Sequence, residues 1–186
     1  MKLLTKVCGL KYAENINNLA NNQVQPDLYG FIFYAPSPRY VSKTALPALL
    51  DSVQQTKGKR VGVFVDAELV EILTIHAQFP LDYIQLHGNE SAELCRQLKN
   101  RSFKIIKAFR IGNQKDLDQI TPYETVCDYF LFDTAGKLPG GNGITFDWEI
   151  LQSYRGKIPF ILSGGISREH TKLIKQFSHP RFRGID

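Results

Sequence analysis

Asp128-Tyr129-Phe130-Leu131-Phe132-Asp133 is a short apolar run bounded by carboxylates. Its length and aromatic content read as a β-strand over 128–133. Runs of the same kind recur at 3–8, 28–34, 60–65, 82–86, 103–109, 159–163 and 182–186. Between them lie segments of helical period at about 12–22, 43–56, 67–78, 90–99, 114–120, 146–154 and 167–178. Eight strands alternating with seven helices predict an α/β fold, a parallel (β/α)8 TIM barrel. An open doubly wound sheet is the alternative. Ser42 and Asp66 are placed to cap the second and third helices, and Ser167 puts a hydroxyl before the last. Pro47 fits the second helix only in its first turn. No low-complexity linker interrupts the pattern, so one domain is expected over 1–186. No helix follows the eighth run, whereas such barrels usually need at least ~200 residues. The reading therefore expects a barrel that is incomplete at its C-terminal end.

Composition narrows the function. The chain has 186 residues, 43% apolar and 22% charged. Those proportions exclude collagen-like, disulfide-scaffold and wholly disordered chains. No apolar run approaches the ~18 residues of a membrane span, so no membrane association is expected. The net charge of +5 is spread along the chain. It fits ordinary solubility or an anionic small-molecule substrate, and no basic stripe interleaved with aromatics points to nucleic acid. Cys8, Cys95 and Cys127 form neither a C-x-x-C pair nor any metal-ligand spacing. A reducing, cytoplasmic location follows, with no metal. The apolar start Met1-Lys2-Leu3-Leu4 is broken at Thr5 and Lys6, too early for a signal peptide. In the cytoplasm the sequons at Asn89 and Asn100 would be idle. A monomer is expected, with an oligomer left open.

In a parallel barrel, catalytic groups stand at the C-terminal ends of the strands. Cys8 ends the first strand before Gly9, and alternation puts Lys6 on the same face. It is either a small buried hydrophobe or a thiolate favoured by the nearby cation, able to act as base or nucleophile. Asp133 ends the apolar run 129–132 and is either a cap or an acid whose proton apolar surroundings retain. Together the two suggest proton shuffling by an isomerase. Ser163-Gly164-Gly165 opens the seventh loop, where backbone N–H groups and a helix N-terminus favour phosphate. A plain strand-to-helix turn is the other reading. Gly140-Gly141-Asn142-Gly143 matches no nucleotide-binding fingerprint, but it lies in a loop long enough to be functional. Arg39 sits in the stiff loop Pro36-Ser37-Pro38-Arg39-Tyr40, as an anion ligand or a solvated residue. His87 can titrate near neutrality or bond a neighbouring loop. His76, His170 and His179 read as surface residues on helices or their ends.

These segments, in order, resemble the phosphoribosylanthranilate isomerase family of tryptophan biosynthesis. They are Lys6-Val7-Cys8-Gly9, Gly30-Phe31-Ile32-Phe33-Tyr34 with Ser37-Pro38-Arg39-Tyr40, and Val61-Gly62-Val63-Phe64-Val65. Then come Gln85-Leu86-His87-Gly88, Leu131-Phe132-Asp133-Thr134, Gly140-Gly141-Asn142-Gly143 with Thr145-Phe146-Asp147-Trp148, and Leu162-Ser163-Gly164-Gly165-Ile166. The resemblance implies an Amadori rearrangement of N-(5-phosphoribosyl)anthranilate without cofactor or metal. It implies Asp133 as general acid and Cys8 as general base. Arg39 would face the anthranilate, with Gly141, Gly143, Gly164 and Gly165 around the phosphate and His87 in the substrate site. Members of the family continue past the eighth strand to a final helix. Two rivals are another phosphoribosyl isomerase or epimerase on the same barrel, and an inactive fragment that only binds.

Overall fold

The computed structural model describes residues 2–134 and 148–186. Eight parallel strands close into a barrel in sequence order. They are β1 (Leu4–Cys8), β2 (Leu28–Ile32), β3 (Lys59–Phe64), β4 (Tyr83–Leu86), β5 (Lys104–Ile111), β6 (Tyr129–Thr134), β7 (Phe160–Ser163) and β8 (Phe182–Ile185). β1 pairs with β8 through Leu4 opposite Gly184 and Thr5 opposite Ile185, which shuts the ring. The open-sheet alternative is excluded.

Alternation along each strand sorts the apolar residues into two cores. Leu28, Ile32, Val61, Val63, Ile106, Ala108, Leu131 and Ile161 fill the barrel interior. The opposite face, with Phe31, Phe64, Phe130, Phe132 and Phe160, packs beneath the surrounding helices. Those helices are α1 (Ala13–Asn21), α2 (Leu46–Gln54), α3 (Leu69–Gln78), α4 (Ala92–Lys99) and α5 (Thr171–Gln176). Their buried residues recur at helical spacing, as Leu46, Leu49 and Val53 do on α2. Pro47 lies in the first turn of α2, where its missing N–H costs nothing.

Several expectations change. The fifth and sixth helical segments are 3-10 helices, Gln114–Tyr123 and Trp148–Ser153. Pro122 cannot donate within the first of these, which helps explain why no α-helix runs through it. Asp66 does not cap α3, whose N-cap is Glu68. It takes a left-handed backbone, φ 52°, and accepts the Asn89 N–H at 2.6 Å, tying the third loop to the fourth. The Ser42 hydroxyl bonds Thr44 Oγ1 at 2.9 Å in place of a helix N–H. The three helix histidines are half-buried clamps. His76 Nδ1 accepts the Leu81 N–H, His170 Nδ1 accepts the Ser167 N–H, and His179 Nε2 donates to the Tyr154 carbonyl.

At the opposite, N-terminal end one device repeats three times. Asp27, Asp82 and Asp128 each stand one residue before an even-numbered strand or its first pair. Each accepts the backbone N–H of the preceding odd strand, from Thr5, Arg60 and Ile105, at 2.8–2.9 Å. Each returns its own N–H to the same residue's carbonyl at 2.9 Å. The Thr5 N–H holds the Asp27 carboxyl below the ordinary 3.8. Burial works against Asp82, but the hydrogen bonds and charge of Arg60 outweigh it and depress that carboxyl too. A depressed carboxyl contributes stability that is complete above its unfolded pKa and lost as pH falls through the folded one. Asp82→Asn should therefore destabilise the barrel in urea unfolding at pH 7 by about 1 kcal/mol, the excess of a charged over a neutral hydrogen bond. The difference from the parent should close as pH falls below the ordinary 3.8. A gap that does not narrow as pH falls through and below the ordinary 3.8 would assign the loss to something other than charge.

Candidate active site

The C-terminal ends of the strands open into two adjoining cavities. One, of about 570 Å³, is lined by Cys8, Arg39, Gln85, His87, Asp133, Ser163, Gly164, Gly165 and Asp186, among others. The other, of about 510 Å³, shares His87 and Asp133 and extends over Asp66, Phe109, Arg110 and Tyr123. Six expected site residues therefore meet at one mouth: Cys8, Arg39, His87, Asp133, Gly164 and Gly165. Gly141 and Gly143 lie outside the described residues.

Cys8 ends β1 facing inward, opposite Gly30 of β2. A Cβ at Gly30 would stand 2.9 Å from Cys8 Sγ, so this neighbour must be glycine for the thiol to keep its place. The expected cation is present: Lys6, on the same face, lines the same cavity as the thiol. Its effect is not the one expected from sequence. Burial pushes the Cys8 thiol above its ordinary value, Lys6 opposes that rise, and Asp186 adds to it. The resting group is a thiol held ready rather than a spontaneous thiolate.

Asp133 lies one residue before the end of β6, on the inner face, beside Arg110 of β5 in register. His87 Nε2 lies 3.5 Å from Asp133 Oδ2. The other ring nitrogen, Nδ1, is 2.8 Å from Gln85 Nε2. With the amide donating, Nδ1 is the acceptor and the ring proton sits on Nε2, facing the carboxylate. The His87 ring thus faces Asp133 across the barrel mouth rather than a neighbouring loop.

Arg39 donates from Nη1 to the Cys8 carbonyl at 3.1 Å, which holds its exposed guanidinium over the β1 end. Gly164 and Gly165 adopt φ of 91° and 64°, and among the described residues no atom lies within 4 Å of a Cβ built on Gly165. The space at Gly165 leaves room for an anion. The helix expected right behind them starts later. Ile166 and Ser167 intervene, then a 3-10 turn at Arg168–His170, then α5, so its dipole adds little to this loop.

Sequence reasoning left out the supports of this site. Lys107 points outward from β5 into a nearly dry space. Its Nζ meets Glu90 Oε2 at 3.2 Å and donates to the Gly88 and Ala108 carbonyls at 2.8 and 3.0 Å. Glu90 accepts the N–H groups of Asp66 and Gly88 at 3.0 and 2.9 Å. This knot fixes the loop that presents His87. A lysine inside the apolar run Ile105-Ile106-Lys107-Ala108-Phe109 was its one visible sign. Asp186 and Gln85 also enter the lining, and Arg110 stands beside Asp133.

A closed parallel barrel with an ionisable mouth of this kind defines a (β/α)8-barrel enzyme with its reaction centre at the C-terminal face. No group of three or more His, Cys, Asp or Glu side chains able to hold a metal occurs among the described residues. The chain belongs to the N-(5'-phosphoribosyl)anthranilate (PRA) isomerase family, whose sequence model matches residues 5–186. The N-(5'-phosphoribosyl)anthranilate isomerase of Parabacteroides distasonis is 43% identical over 184 residues, 99% of this chain and 82% of that protein. The phosphoribosyl anthranilate isomerase from Thermotoga maritima superposes with a TM-score of 0.84 at 31% identity, covering 99% of this chain and 87% of that one. That enzyme is also solved as monomers generated from its dimeric form. A further isomerase structure, in complex with reduced 1-(o-carboxyphenylamino)-1-deoxyribulose 5-phosphate, gives 0.82 at 29% identity, covering 100% and 86%.

Removing one partner of a buried ion pair strands the other charge. Lys107→Met should lower stability in urea by about 3–5 kcal/mol. Lys107→Met with Glu90→Gln buries no unpaired charge and should recover part of that loss. No recovery would mean that Lys107 acts through its carbonyl contacts alone.

Proposed function

We infer that this chain isomerises N-(5'-phosphoribosyl)anthranilate to 1-(2-carboxyphenylamino)-1-deoxyribulose 5-phosphate, a step of tryptophan biosynthesis, with Asp133 as acid and Cys8 as base. Family membership carries the reaction. The observation that carries the roles is that both groups line one cavity with the Gly164–Gly165 loop. Asp133 delivers a proton to the furanose ring oxygen, the C1′–O bond breaks, and a protonated Schiff base with the anthranilate nitrogen results. Cys8 acts in its thiolate form, which takes up the C2′ proton to become the thiol, and the electron pair of that bond neutralises the iminium to an enolamine. Ketonisation gives the product. The reaction is proton transfer throughout, so it draws on no cofactor or metal.

The remaining assignments follow the chemistry of the substrate. Gly164 and Gly165 form the loop that takes the phosphate, and Gly141 and Gly143 belong to the same subsite in this reading. Arg39 faces the anthranilate carboxylate, its guanidinium suited to a planar anion. His87 orients the Asp133 carboxyl through Nε2. We read the chain as one domain that acts as a monomer in the cytoplasm. Among the described residues no helix is long and apolar enough to cross a membrane. Cys8, Cys95 and Cys127 are free thiols, which suits a reducing compartment. The exposed large apolar side chains Tyr12, Val24, Tyr34, Val70 and Leu173 are spread over several elements, which favours a monomer in sedimentation velocity.

Turnover is measured as the loss of anthranilate fluorescence. Cys8→Ser and Asp133→Asn should each lower kcat by roughly 10²–10⁴-fold, the range for a general acid or base, with little change in KM. Full activity in either variant removes that residue from its role, and an inactive parent chain overturns the reading itself.

A further inference from the structure

Lys6 and Asp186 form a buried ion pair inside the barrel mouth, and nothing in the reaction above uses it. Lys6 Nζ lies 2.7 Å from Asp186 Oδ2, with the side chains 0% and 6% exposed. The pair links β1 to the end of β8, next to the strand pairing that closes the ring. A buried ion pair is rarely more stabilising than apolar residues of the same volume. The barrel interior here is otherwise built of Leu28, Val61, Ile106, Leu131 and Ile161. Two features tie the pair to the neighbouring thiol. Lys6 donates to Asp186 Oδ2, and Lys6, Cys8 and Asp186 line one cavity, so one ammonium lies beside both acidic groups. The second oxygen, Asp186 Oδ1, is buried without a hydrogen-bond partner among the described residues, so this carboxylate draws its compensation from Lys6.

We propose that Lys6 and Asp186 work as a matched pair that sets the basicity of Cys8: Lys6 supplies the positive charge the thiolate needs, and Asp186 holds part of that charge back. This rests on the reading of Cys8 as the base. Both are positioning residues, since they act through Cys8. If Lys6 faced Cys8 alone, the thiolate would be too stable to take a carbon-bound proton. If Lys6 were absent, the thiol would stay protonated at neutral pH. The other charged groups at the thiol act from different elements. Arg39 of the second loop adds positive charge from an exposed position, while His87 beyond β4 and Asp133 of β6 line the same cavity. The directions agree. Burial lowers the proton affinity of Lys6, but Asp186 and then Cys8 raise it above the ordinary lysine value. At Cys8, Lys6 and Asp186 pull in opposite senses.

The test is the pH dependence of Cys8 alkylation by iodoacetamide in the folded protein, read by peptide mass spectrometry. Cys95 and Cys127 are 0% and 2% exposed and report on loosening. Asp186→Asn should move the Cys8 midpoint down by roughly one unit or more, and Lys6→Met should move it up by a similar amount, as expected for a neighbouring unit charge. The doubly neutral Lys6→Met/Asp186→Asn variant should lie above Asp186→Asn. This comparison decides the matter even where Lys6→Met alone fails to fold. Where the enzyme turns over, the acid limb of kcat/KM should follow the same order. A structural role predicts shifts of one sign with Cys95 or Cys127 exposed. That outcome, or equal midpoints for Asp186→Asn and the double variant, overturns the proposal. Alkylation needs no substrate, so ordered midpoints without turnover would overturn the proposed reaction and leave the pair standing. Turnover with unmoved midpoints would do the reverse.

Discussion

The pairing of β1 with β8 is the constraint on which the rest depends. Leu4 against Gly184 and Thr5 against Ile185 turn eight strands into a ring. A closed ring has no exposed sheet edge, and it forces every inward side chain toward one axis. Cys8 on β1 and Asp133 on β6 line one cavity only because the ring is shut. The same closure puts Asp186 against Lys6, 180 residues earlier in the chain.

The two ends of the barrel use charge differently. At the N-terminal end, Asp27, Asp82 and Asp128 are partly hydrated and satisfied by neighbouring backbone N–H groups. They lock adjacent strands together, which suits the face that barrels devote to stability. At the C-terminal end, Lys6–Asp186 and Lys107–Glu90 are nearly dry. Desolvating such pairs costs stability that apolar packing would not. What they provide is placement: one holds a charge beside the thiol, and the other fixes the loop that carries His87. Proteins commonly accept such local costs where chemistry is done.

Much of the mouth was legible from residue pattern. The strand runs fall within a few residues of β1 to β8, because a short β-branched or aromatic run leaves few alternatives in a chain that alternates so regularly. Cys8, Asp133 and the Gly164–Gly165 pair stood out because a parallel barrel collects strand ends at one face. The helices were less legible. The segments at Gln114–Tyr123 and Trp148–Ser153 have helical period but form 3-10 turns, since periodicity records which face is buried and not how tightly the backbone winds. Asp66 looked like a cap because it precedes a helical segment. Its carboxylate instead bonds Asn89, a residue on another loop.

Sequence alone determined the number and order of strands, the face on which each side chain lies, and the set of groups at the strand ends. These depend on local periodicity and on the two-residue repeat of an extended chain, both written in neighbouring residues. Tertiary structure decided what those groups experience. Lys6 beside Cys8 promised an acidic thiol, yet burial and Asp186 raise its proton affinity instead. Solvation and long-range charge depend on which distant segments close around a residue, and that is set only when the eighth strand meets the first.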